Sequence, residues 1–165
     1  MTPLSDDIRI SSLSTSQALL LSVYRQWLKG LECRDSRYWE GAWREVSRAL
    51  GGRAGRAALS ALESLLRRIA GHARRSVSYH PPCCGYVAAD EQLLLEAVAA
   101  AGRSESDCLL GRLVVAEGLP EVREAAVALA AAFAEGGHAL LQPNQDTTPG
   151  GLAVRQAVPA TPTLH

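Results

Sequence analysis

The chain has 165 residues, 47% hydrophobic but only 5% aromatic, with 17 basic and 17 acidic side chains and a formal net charge of zero. That length supports one domain whose core needs neither disulfide nor metal to hold it. Zero net charge removes any global electrostatic case for nucleic acid or a membrane surface. Sixteen of the cations are arginine and one is Lys29, beside abundant alanine and glycine, a composition expected of a GC-rich bacterial genome. Strand-forming residues are sparse and scattered, which predicts an all-α chain, a bundle of six helices.

Residues 1–13 are polar and unpatterned and read as a flexible arm ahead of a helical domain over 14–137. The start has no basic segment before an apolar run, and "ALLLSV" (18–23) is far too short to be a signal or a membrane span. A cytoplasmic protein without membrane contact is therefore expected, its four cysteines present as thiols. "STSQ" reads as a capping box in which Ser14 and Gln17 satisfy each other's end of the first helix. Leu20, Val23, Tyr24, Trp27, Leu28 and Leu31 follow on one face, and Gly30 is the expected stop. A second helix opens after Asp35–Ser36, carries Trp39, Ala42, Trp43, Val46 and Leu50 on its apolar stripe, and closes at the glycine pair 51–52. The two helices predict an antiparallel hairpin with an aromatic seam.

The third helix, expected over 54–75, separates its faces most clearly. Leu62, Leu65, Leu66, Ile69 and Ala73 share one arc, Arg56, Arg67, Arg68, Arg74 and Arg75 the opposite one, and His72 lies at the border. A fourth helix is expected over 88–101 with Asp90 and Glu91 in its first turn, where the helix dipole favours acids. A fifth is expected over 104–117, and a sixth over 120–135 with Pro120 at its start. Residues 138–165 combine proline, glycine and threonine without a period and read as a disordered tail.

Two features invite a functional reading. The first is the loop His80-Pro-Pro-Cys83-Cys84. Histidine and cysteine this close together resemble half of a zinc site, and His80, Cys83 and Cys84, with His72 from the preceding helix, are the candidate ligands for zinc or another thiophilic metal. Vicinal thiols could also serve as a redox pair. Against this, adjacent cysteine side chains diverge, and the chain has no Cys-x-x-Cys pair. The simpler reading is a stiff corner in which the prolines stop the third helix and the cysteines pack as small apolar residues over the core. No cofactor is then required.

The second feature is charge segregation. Residues 44–75 hold eight arginines and two glutamates, and residues 90–135 hold nine acids and three arginines. A partner surface built on Arg67, Arg68, Arg74 and Arg75 would suit an acidic protein. The same charges could be satisfied between the two halves of the chain or across a homodimer, or form a merely solvated face. Nucleic acid is disfavoured because the aromatics lie on an apolar stripe elsewhere. No nucleophile elbow, phosphate loop, zinc-protease motif or dinucleotide fingerprint is present, so a non-catalytic interaction or regulatory protein is the expectation, with metal or thiol-redox binding as the alternative.

"PPCCGYVAADEQLLLEAV" (81–98) resembles a motif of small helical proteins of alphaproteobacteria, in which a Pro-Cys-Cys loop precedes an acidic pair and a leucine run. The resemblance covers those residues only. It implies no activity and draws attention to Cys83 and Cys84.

Overall fold

The computed structural model describes residues 8–140. The remainder of the expected arm, 1–7, and of the expected tail, 141–165, lies outside the described residues. Six α-helices run in order: α1 (Thr15–Cys33), α2 (Ser36–Leu50), α3 (Gly52–His72), α4 (Ala89–Ala99), α5 (Ser104–Leu110) and α6 (Leu119–Glu135). Single turns of 3-10 helix occupy Ile10–Ser12 and Ala116–Gly118. Extended pairing among the described residues is limited to two isolated antiparallel bridges, Arg9 with Tyr86 and Ala73 with Val114. The fold class is all-α, as the composition required.

α1 begins as expected. The Gln17 amide donates to Ser14 Oγ at 3.2 Å and the Ser14 amide donates to Gln17 Oε1 at 3.1 Å, closing the capping box. Its end differs from expectation. Gly30 lies inside the helix, which continues to Cys33 and stops at Arg34 in the left-handed region (φ 52°). Gly30 instead admits Trp39: a Cβ there would sit 2.5 Å from the indole Nε1. The indole donates to the Trp27 carbonyl at 3.3 Å, and the two rings lie 6.1 Å apart at 47°. This is the anticipated aromatic seam of α1 and α2, made possible by the missing side chain.

Gly51, at φ 84°, ends α2 and starts α3 in one residue. α3 packs against both α2 and α6, and α4 against α5, α6 and α1. Leu20, Leu62, Leu65, Val98, Leu110 and Phe133 form the centre, each 1% exposed or less. Burying each such leucine or phenylalanine contributes about 1.5–3 kcal/mol.

Two helix ends fall short of their expected length for one shared reason. α3 stops at His72 rather than Arg75, and α5 stops at Leu110 rather than near Glu117. The Arg74 amide donates to the Leu113 carbonyl at 3.0 Å, and the Val115 amide donates to the His72 carbonyl at 2.9 Å. Backbone pairing between these two segments replaces the last helical turns, and it buries Leu113 and Val114 to 1% exposure. The prolines therefore do not stop α3. They sit further on, where the Cys84 amide donates to the Pro81 carbonyl at 3.0 Å and closes a tight turn.

Part of the expected arm is docked. The Ile10 amide donates to the Gly85 carbonyl at 3.0 Å, the Val87 amide donates to the Ile8 carbonyl at 2.8 Å, and the Arg9 guanidinium lies 5.6 Å from the Tyr86 ring centre. Neighbouring backbone satisfies these groups, so residues 8–13 belong to the folded unit. At the other end Leu140, expected in the tail, is buried against the core.

Candidate functional site

The segment from Ala73 to Ala88 crosses the surface without a helix, and two adjacent acids of α4 hold it down. Glu91 is fully buried and accepts four hydrogen bonds. Arg25 donates to it through Nε at 2.8 Å and Nη2 at 2.7 Å, the His80 amide at 3.0 Å and the Ala88 amide at 2.8 Å. Arg25, 1% exposed, also donates to the Cys84 carbonyl at 2.7 Å and the Tyr86 carbonyl at 2.6 Å. A buried pair of this kind is tolerable only when most remaining lone pairs and protons are used; here Arg25 donates four hydrogen bonds and Glu91 accepts four.

Asp90 does the same for the first half of the segment. It accepts Arg75 Nη1 at 2.8 Å and Nη2 at 2.6 Å, and the Ser78 amide and hydroxyl at 2.7 and 3.0 Å. The Arg75 guanidinium holds the Asp90 carboxyl well below the usual carboxylate range, against the opposing effect of burial, and the Ser78 donors add to it.

The candidate metal ligands take separate places around this clamp. His80 uses its amide to tie the loop to Glu91. Cys83 is exposed and Cys84 half-buried, both as free thiols, so neither packs as a core residue. His72 lies at the far end of α3 against Gly118, where a Cβ would collide with its ring, and its Nε2 is 3.8 Å from Glu121. Among the described residues no three His, Cys, Asp or Glu side chains converge on one point.

The arginines are also redistributed. Arg74 and Arg75 follow α3 rather than extending its outer face. Arg75 turns in to Asp90, and Arg74 donates to the Gly111 carbonyl at 3.1 Å. Arg68 donates to the Glu121 carbonyl at 2.6 Å and to Glu124 at 3.2 Å, while Arg53 lies 3.4 Å from Glu135. The basic and acidic halves of the sequence meet each other along α3 and α6. Arg67 remains outward, its side chain 77% exposed and paired with Glu63 one turn away at 2.6 Å.

Beside the clamped segment opens a cleft of about 790 Å³. One wall is Trp27, Leu28 and Leu31 of α1 with Trp39 of α2; the other is Leu66 and Ala70 of α3 with Ala73 just beyond its end. Val77 and Tyr79 of the loop complete it, and Glu63, Arg67 and Arg75 edge it. Its floor reaches the core at Tyr24, Ile69, Leu94 and Leu113. Leu31, on the expected core stripe of α1, is 54% exposed here and Tyr79 36%. Burial, with the Glu91 and Asp90 carboxylates adding to it, pushes the Tyr24 phenol above its ordinary range, so its hydroxyl stays protonated.

No protein-family model, curated protein sequence or solved structure matches the chain. Among the described residues no helix is long and apolar enough to cross a membrane.

Proposed function

We propose that this chain is a helical binding protein, regulatory rather than catalytic, whose working surface is the cleft between α1, α3 and the clamped loop. One observation carries the reading: a concavity of about 790 Å³, walled almost wholly by apolar side chains, stays open beside a well-packed core. That volume lies in the range typical of ligand sites, about 300–1,000 Å³. Exposing Leu31 and Tyr79 to water costs free energy that an apolar guest recovers. The basic surface supports the reading less than the cleft, because Arg68, Arg74 and Arg75 are engaged within the chain; Arg67 at the rim is the arginine placed to meet an acidic group on a partner.

Titration with the neutral dye Nile red, followed by dye emission and by quenching of Trp27 and Trp39, tests it. Saturable one-to-one binding is expected, lost in Leu66→Glu with helicity retained. Absence of saturable binding, or binding indifferent to Leu66→Glu, sinks the proposal.

A further inference from the structure

The cleft floor carries one polar feature that the fold does not use. Tyr24 is 3% exposed, and no hydrogen bond engages its hydroxyl among the described residues. The residue lines the cleft at its buried end. A buried phenol normally finds a partner. A guest in the cleft is placed to supply one in exchange for water.

We propose that the cleft is a small-molecule site for an uncharged, mainly apolar ligand, inserted end-on so that a neutral oxygen acceptor, a carbonyl or hydroxyl, takes a hydrogen bond from Tyr24. The proposal rests on the binding reading above and names its ligand class. Depth argues for a small molecule: the floor is made of core residues, Leu94 at 4% and Leu113 at 1% exposure, which a helix lying across the rim would not touch. Charge argues for a neutral end. Arg25, beside Tyr24 in the chain, and Arg75, in the cleft lining, spend most of their donors on Glu91, Asp90 and the loop backbone. An anion at the floor would face those two carboxylates, with Arg67 out at the rim and paired with Glu63. The burial and carboxylates that keep the Tyr24 phenol protonated would equally oppose a carboxylate beside it. Trp27 and Trp39 supply flat apolar surface for the body of the ligand.

The test uses prodan, a neutral naphthyl ketone whose emission reports hydrogen bonding to its carbonyl, and anilinonaphthalene sulfonate, an anion of similar size. Wild type should bind prodan one-to-one and more tightly than the sulfonate. Tyr24→Phe should keep its melting temperature, weaken prodan about 3- to 10-fold and shift bound prodan emission to the blue. Equal prodan affinity and emission in wild type and Tyr24→Phe, or preference for the sulfonate, overturns the proposal. If Nile red still binds in those cases, only the ligand class falls; if Nile red does not bind either, the cleft reading falls with it.

Discussion

The clamped loop and the cleft share Arg75 and Tyr79 yet are opposites. In the loop nearly every strong polar group has a partner inside the chain: Glu91 accepts four hydrogen bonds and Asp90 another four. In the cleft, apolar surface lies open and the Tyr24 hydroxyl has no hydrogen-bond partner among the described residues. A saturated site is finished by folding, whereas an unsaturated one is finished by something else. The conspicuous motif of this sequence belongs to the first kind.

The largest test of that contrast removes the saturation. Glu91→Ala strands Arg25 in the core and should cost about 3–5 kcal/mol in urea unfolding. Arg25→Met with Glu91→Leu should cost clearly less than Glu91→Ala alone, since no buried charge is then left alone. A loss below about 1 kcal/mol for Glu91→Ala would show the clamp to be incidental. Next, neighbouring leucines of α3 should part company. Leu65, fully buried, should lose about 2–5 kcal/mol as alanine. Leu66, on the cleft wall, should lose less than half as much while losing dye affinity. Similar losses for the two would mean that the cleft wall is ordinary core.

Asp90→Asn should cost about 1–3 kcal/mol at neutral pH, screened because Arg75 is half exposed. Its carboxyl is depressed in the folded state, so the stabilisation is complete above the unfolded value of about 3.9 and fades as pH falls towards the folded one. The gap in urea midpoint between wild type and Asp90→Asn should therefore narrow between pH 5 and pH 2.5; a constant gap contradicts the Arg75 pairing. Smallest of all, Cys83→Ser should change stability by no more than about 0.5 kcal/mol, because the thiol is exposed. A larger loss would restore the cysteine pair to a structural role.

The helices were legible because their signals are local: a capping box at Ser14, an N-cap at Asp35, where the Arg37 amide donates to the carboxylate at 3.0 Å, and Pro120 in the first turn of α6. The ends of α3 and α5 were not, because pairing between segments about forty residues apart decides them. The charge asymmetry was visible, and its resolution along α3 and α6 was among the alternatives it allowed. Asp90 and Glu91 were read as dipole partners, which misses that both are buried. One signal pointed there: Arg25 follows Leu21 by four residues and precedes Leu28 by three, a charge on an apolar face that demands a buried counterion. The cleft had no signal, since Leu31 and Leu66 fit an apolar stripe whether or not anything covers them.

The Arg25–Glu91 pair joins residues 66 apart in sequence. Chain closure over that span is entropically expensive, whereas the α1–α2 hairpin forms from near neighbours. The clamp is thus expected to assemble after the rate-limiting barrier, with φ-values at Arg25 and Glu91 close to zero. Its free energy then acts almost wholly on the way out: weakening it should accelerate unfolding in stopped-flow measurements and leave the folding rate nearly unchanged. The loop that draws the eye in the sequence would then set how long the native protein lasts rather than how fast it forms.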